Sequence, residues 1–514
     1  MHFHTLCGLV LILGCVLQIV AGYTHFDLTG AAFGTDDAYI SYRYAENLVR
    51  GYGLVFNRGE RVEGYSNFLY VLLMAPAFFF TGGLGVYVYS SLFNIICVLG
   101  AYLVFRRWIC RSFSPLVTSL AIFLFATCPL IWLWTASGME TVLVLLMQLV
   151  IWAKAERCAE LGANSKDVLI LCLAIIVSIL SRADGFVIPV FALLYLLFKG
   201  RYKELTWCST AFLIILICYF LWRHDYYGYF LPNTYYAKVS GPISLRIEYA
   251  LQLLLVIVLS EGLLFYFMGV LVVLIVQWIG VLRHRLSFLE TASFDRILFI
   301  GILAYWIYIG GDNFHERFLL LLYPLGIYIL FRNIGHILPK GTLVSLVSIF
   351  AIFQLGVLLT DARFHYTLHK YDRWVVLGEY LARQHAGQVL AIDAAGKVPF
   401  FSDLKTIDMF GLNDAFIAHQ NVPTFVVGHN TTAPAYVLSR RPALIAAGVD
   451  GADLNLGAGM KRDLYLQAGY EVKYLVSTDA ANAESIIDVS GLDRPSVGAL
   501  VEKGYKYAVL QKTH

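Results

Sequence analysis

The sequence predicts an α-helical, polytopic membrane protein of about eleven spans that carries a soluble α/β domain at its C-terminus. Three observations lead there. Of 514 residues, 59% are hydrophobic and only 14% charged, with a mean hydropathy of +0.69, where an ordinary soluble domain carries about 25% charged residues. Apolar runs recur between residues 5 and 360. Charge is also divided unevenly: residues 1–360 hold 42 of the 73 charged side chains and the last 154 residues hold 31. That division separates a membrane body, 1–360, from a soluble domain, 361–514. Aromatics at 15% exclude disorder, and a net charge of +3 gives no sign of a nucleic-acid partner.

The apolar runs lie at 5–23, 68–80, 86–105, 114–134, 139–153, 168–181, 184–198, 205–222, 247–282, 296–310, 317–332 and 341–360. The first has no basic residues before it and no small-residue cleavage site after it, so it reads as an uncleaved anchor. The basic clusters are Arg106/Arg107/Arg111, Lys154/Arg157/Lys166, Lys199/Arg201/Lys203, Arg283/Arg285/Arg296 and Arg332/Lys340. All five fall on one side if 68–80, interrupted by Pro76, lies in the interface, and if 247–260 does so while 262–282 crosses. The N-terminus is then cytoplasmic and the C-terminal domain extracytoplasmic. All nine cysteines precede residue 219 and none forms a CxxC pair, so they read as buried apolar thiols.

With that orientation the carboxylates Asp36, Asp37, Glu46, Glu63, Glu140, Asp184, Asp225, Glu261, Asp312 and Glu316 share the outer side. The first outer loop, 24–85, opens with a helix that Thr35 can cap and Gly51 can stop. Its apolar and charged residues alternate at helical spacing, which suits a helix lying on the membrane surface. Asp36 and Asp37 in its first turn would favour the helix dipole by themselves. As adjacent carboxylates they also suit a general base with a partner that tunes it or holds a divalent cation. Arg43, Glu63, Tyr65 and Asn67 complete a polar, glycine-punctuated loop suited to a ligand. Glu140, at the outer start of a span, can be a helix cap or a ligand contact. The aromatic run 226–236, with Tyr227, Asn233 and Lys238 in or beside it, fits an interfacial belt or a sugar-stacking and phosphate-binding surface. Arg317, following Asp312, can meet lipid headgroups or a substrate phosphate. His315 alone makes no metal site. In the tail, 373–384 reads as helix, and 389–392, 444–447, 472–476 and 507–510 as strands.

The run Asp36-Asp37-Ala38-Tyr39-Ile40 to Asn67, SGMET at 137–141, the tyrosine-rich stretch 226–238 and GGD at 310–312 with Arg317 occur in one order. In that order they resemble the bacterial GT-C integral-membrane glycosyltransferases, and within them the arabinofuranosyltransferases of mycobacteria and of pilin modification. The segment Gly411-Leu412-Asn413-Asp414 adds to the resemblance. At 182–185 relatives commonly have Arg-Pro-Glu-Gly where this chain has Arg-Ala-Asp-Gly. The resemblance implies a multi-pass enzyme of the bacterial cytoplasmic membrane. It would pass a sugar, arabinofuranose in this subgroup, from a polyprenyl phosphate to an extracytoplasmic glycan or pilin. The base role then falls on Asp36 and Asp37.

The chemistry agrees with the loops. A lipid phosphate leaves more readily beside cations, for which Arg317, Lys238 and Arg182 are the candidates. The other outer-loop polar groups would hold donor and acceptor. No residue set reads as a metal site, and a divalent cation at the acidic pair is left open. The rival is a lipid-linked sugar transporter or flippase, which would carry its ionisable residues at mid-membrane between broken helices.

Overall fold

The computed structural model describes the chain except residues 1, 25–33, 81–84, 161–162, 261–266, 268, 276–292, 315, 361–371, 421–424, 427, 452, 479–484 and 514. The expected crossing at 262–282 and His315 therefore lie wholly or largely outside the described residues. The membrane body comprises α1 His2–Thr24, α2 Asp36–Val49, α3 Phe68–Met74, α4 Ala77–Phe80, α5 Gly85–Ser112, α6 Pro115–Ala126, α7 Pro129–Ala136, α8 Thr141–Ala159, α9 Ser165–Ser181, α10 Val187–Phe198, α11 Tyr202–Tyr227, α12 Asn233–Lys238, α13 Ile243–Ser260, α14 Phe294–Ile309, α15 Leu322–Ile334 and α16 Lys340–Thr360.

Several of these helices present apolar stripes outward, as a lipid-facing surface requires. On α1, Leu6, Leu9, Leu13 and Leu17 recur at helical spacing and are all more than half exposed. On α16, Ile349, Ile352, Leu355 and Leu359 do the same. Among the described residues, three helices are long and apolar enough to cross alone (within α1, α5 and α11), and a fourth span results if α6 and α7 are counted together. The eleven-span arrangement thus rests on the charge pattern.

Two sequence expectations need correction. The run 114–134 is not one straight helix: α6 and α7 meet at 42°. Pro129 lacks an amide hydrogen and forces Cys128 into an extended conformation, so the helix must break there. The helix α2 has the expected start, but it does not lie free on a membrane surface. Its residues from Ala38 to Ala45 are all buried, because the C-terminal domain covers it. Thr35 makes no side-chain cap; its hydroxyl goes instead to the Ser137 carbonyl.

The C-terminal domain is built on a seven-stranded mixed sheet. Its strands are β1 Val389–Ile392, β2 Lys405–Asp408, β3 Leu444–Asp450, β4 Asn455–Leu456, β5 Tyr470–Val476, β6 Ile486–Asp488 and β7 Tyr507–Lys512, in the order β2-β1-β3-β7-β5-β6 with β4 on β3. β1 runs parallel to β2 and β3; β7 runs antiparallel to β3 and β5. Period-two alternation sends Ala391, Ile445 and Ala508 to one core and Leu390, Ile392 and Ala446 to the other. Helix α17 Arg373–Gln384 covers the second face through Leu377 and Leu381. The segment leaving β1 carries Ala395 and Phe400 into the core of the membrane body. Domain and body are therefore packed as one unit around α2.

Candidate active site

The cavity that gathers the polar residues lies where the end of the membrane body away from the basic clusters meets the C-terminal domain. It has two adjoining chambers of about 120 and 50 Å³, both bordered by Arg182, Lys238, Arg317, Ser66, Thr234 and Phe318. Each cation arrives from a different element. Arg182 caps α9 in extended conformation and Lys238 ends α12. Arg317 begins the short 3-10 turn before α15.

Two of the cations are fixed by carboxylates. Asp312 accepts both arms of the Arg317 fork, at 2.9 and 3.0 Å, with both side chains 7% exposed. Asp184 holds Arg182 in the same way, with Nη2 at 2.7 Å. The Phe318 ring lies 4.1 Å from the Arg182 guanidinium and 4.9 Å from that of Arg317. Such bidentate pairs set the plane of a guanidinium while its remaining N–H groups stay available to an anion. Lys238 is looser, 3.9 Å from an Asp37 oxygen, and both are about one quarter exposed.

On the other wall Glu140 accepts a 2.8 Å hydrogen bond from Asn67, whose amide also contacts Ser41. Glu140 is buried and makes no cap. Tyr65 also borders this chamber, its hydroxyl 3.0 Å from that of Tyr227.

The acidic pair divides. Asp37 borders the cavity opposite Arg317 and beside Lys238. Asp36 turns to the C-terminal domain, where its two oxygens accept the backbone N–H groups of Gly396 and Lys397 at 2.9 and 2.8 Å. Gly396 is required there, because a Cβ would overlap the Asp36 carbonyl. Burial pushes the Asp36 carboxyl up to about 7, although the Lys397 amide pulls it down. The two carboxylates thus have different partners, Asp36 the backbone of the C-terminal domain and Asp37 the cavity and Lys238.

Four other expected site residues are placed in the scaffold. Arg43 donates to the carbonyls of Phe56, Pro399 and Leu404, joining α2 to the domain. Asn233 donates to the carbonyls of Gly411 and Leu412. Glu63 is buried in an ion pair with Arg223 at 2.7 Å, its carboxyl pushed up to about 7 by burial. Tyr227 donates to the Leu54 carbonyl and packs inside the aromatic cluster. Each satisfies a buried polar group and so is occupied with holding loops together. Tyr235, from the aromatic run, borders the cavity, and so do Ser66, Thr234, Tyr305, Phe318 and Phe425, which were not singled out from the sequence. Tyr305 and Phe318 sit inside apolar runs, where nothing in the sequence separates a cavity wall from a core.

Comparison with known proteins agrees with this architecture. Residues 363–508 match a family model described as a domain of unknown function, DUF8728. The chain is 27% identical over 357 residues to the terminal beta-(1->2)-arabinofuranosyltransferase of Mycobacterium tuberculosis, covering 60% of this chain and 53% of that one. It therefore spans about half the length of that relative. Among solved structures it resembles ArnT from Cupriavidus metallidurans bound to undecaprenyl phosphate, with TM-score 0.58, 12% identity and 97% of both chains covered. It also resembles the oligosaccharyltransferase of Archaeoglobus fulgidus, with TM-score 0.57, 12% identity, and 95% of this chain and 75% of that one covered. The archaeal oligosaccharyltransferase AglB from Archaeoglobus fulgidus, in complex with an inhibitory peptide and a dolichol-phosphate, gives TM-score 0.54 at 12% identity, covering 95% of this chain and 74% of that one. The fold is the GT-C fold expected from the loop motifs, with a sheet domain at its C-terminus.

Proposed function

We propose that the protein is a membrane glycosyltransferase that moves a sugar, arabinofuranose, from a polyprenyl phosphate to an acceptor outside the bacterial cytoplasmic membrane, a cell-surface glycan or a pilin. The observation that carries this reading is the convergence of Asp37 with Arg182, Lys238 and Arg317 on one cavity at the end of the body away from the basic clusters. Asp37 takes the proton of the acceptor hydroxyl as that oxygen bonds to the anomeric carbon. The bond from that carbon to the donor phosphate breaks, and the lipid phosphate leaves against the cations. Because the carboxylates already hold Arg317 and Arg182 in plane, little reorganisation accompanies the developing charge. The mycobacterial relative's name supports the sugar. The undecaprenyl phosphate and dolichol-phosphate in the titles of the structural neighbours support the lipid.

A transporter would place its ionisable groups at mid-membrane, whereas these gather at one end of α8, α9, α10 and α15. The test is a proteoliposome assay with labelled polyprenyl-phosphoryl arabinofuranose and glycan or pilin taken from a deletion strain. Transfer of label to the acceptor is expected. Movement of the intact donor across the bilayer, with no transfer, would replace the enzyme by a transporter.

A further inference from the structure

A second cavity, of about 460 Å³, lies at the other end of the same helices. Helix α8 runs from Glu140 at the first cavity to Glu156 and Glu160 at the second, and α10 runs from just beyond Asp184 to just before Lys199. Helix α14 likewise joins Ile309 at the first to Arg296 at the second. At about 1.5 Å per residue, Glu140 and Glu156 are about 24 Å apart, close to the depth of a hydrocarbon core. The second cavity thus lies at headgroup depth, on the side of the body that carries the basic clusters. Its volume falls within the range of about 300–1,000 Å³ usual for ligand sites.

Three cations border this cavity, Lys199, Arg296 and Arg332. Lys199 makes no ion pair among the described residues, and its ammonium lies 5.6 Å from the Tyr195 ring centre. Arg332 gives one nitrogen to the buried Asp295 at 3.2 Å and is still 43% exposed. Arg296 stands near enough to Arg332 for the two guanidinium groups to repel. The carboxylates of the lining do not balance these charges. Glu160 is already paired with Arg157, which lies outside the lining. Glu156 lies past the apolar run 139–153, where burial, helped by Asp295, pushes its carboxyl up to about 8, so it is protonated at neutral pH. Even with Glu156 ionised, three cations would face two carboxylates.

We infer that this cavity binds a phosphate group, carried by an anionic phospholipid of the adjoining leaflet or free in solution, against Lys199, Arg296 and Arg332. An anion beside Arg296 and Arg332 relieves their repulsion and supplies the counter-charge that Lys199 lacks. A cation would meet three like charges, and a zwitterion would find no open carboxylate for its ammonium. Basic pockets between the ends of membrane helices hold phosphate headgroups in this way. The Trp108 and Tyr328 rings in the same wall suit the membrane interface.

Native mass spectrometry of the full chain in detergent tests this, with phosphatidylglycerol and phosphatidylethanolamine offered in equal amounts and inorganic phosphate in millimolar excess as a second arm. Phosphatidylglycerol should be retained at least about fivefold over phosphatidylethanolamine, the scale of one basic residue beside an anionic lipid. Lys199→Gln should lower its retention about fivefold, and Lys199→Arg should restore it. Phosphatidylglycerol that inorganic phosphate leaves in place identifies the lipid headgroup as the source. Inorganic phosphate that stays bound itself and is lost in Lys199→Gln, with no preference between the lipids, identifies the free ion. Equal retention of the two lipids with no bound phosphate would overturn the inference. So would retention that survives Lys199→Gln and falls in Arg317→Ala, which would place the anion in the first cavity. Binding alone is read, so the outcome is independent of the transfer reaction.

Discussion

Substituting the two adjacent aspartates separately divides chemistry from assembly. In Asp37→Asn the side chain keeps its shape and one acceptor oxygen but loses its basicity. Its one ion-pair partner among the described residues, Lys238, is 3.9 Å away and both groups are about one quarter exposed, so the loss of stability should be at most about 1 kcal/mol. Loss of a general base lowers turnover about 10²–10⁴-fold. Asp36→Ala has the opposite profile. It strips the partners from two backbone N–H groups, of Gly396 and Lys397, at about 1–3 kcal/mol for each donor left buried. Turnover in Asp36→Ala should therefore fall only as far as the C-terminal domain loosens. The assays are sugar transfer per folded molecule and hydrogen exchange over residues 393–402. Asp37→Asn should be inactive with wild-type exchange, and Asp36→Ala should exchange faster while each docked molecule keeps its turnover. An Asp37→Asn variant with near-normal specific activity, or an Asp36→Ala variant that is inactive with wild-type exchange, would refute the division.

Arg317→Ala should lower turnover on the lipid donor about 10²–10³-fold, and Arg317→Lys should restore only part of it because the fork is lost; unchanged donor kinetics would leave Arg317 as a partner for Asp312 alone. Gly396→Ala should undock the domain, since the added methyl meets the Asp36 backbone; limited proteolysis would show cleavage near residue 396, absent in wild type. The Asp36 carboxyl, raised to about 7 by burial, holds its proton in the folded state above the ordinary carboxylate range. Its contribution is thus full below that range and is lost as pH rises through about 7; the protection of amides 393–402, taken relative to their intrinsic exchange rates, should fall across that interval and stay level in Asp36→Asn, which cannot titrate. A phosphatase fused after residue 514 should be active and a cytoplasmic reporter there silent; the reverse would invert the orientation drawn from the basic clusters.

The sequence by itself determined what depends on neighbouring residues. Apolar length and charge density set the helical body with its long apolar runs apart from a more charged C-terminal segment. Local periodicity gave the helix beginning at Asp36, α17 at Arg373–Gln384 and β1 at Val389–Ile392 with their observed limits. The order of the outer-loop motifs pointed to the GT-C fold, and Arg182, Lys238 and Arg317 do share one cavity. Tertiary structure alone decided which polar groups face that cavity. Asp36 and Asp37 are chemically alike, but successive helical residues point about 100° apart, so one meets the C-terminal domain and the other the cavity. The amides that claim Asp36 come from residues 396 and 397, some 360 positions away. In the same way distant carbonyls claim Arg43 and Asn233, and Arg223 claims Glu63. A buried polar group must find a partner, and partners brought by another domain leave no trace in the local pattern.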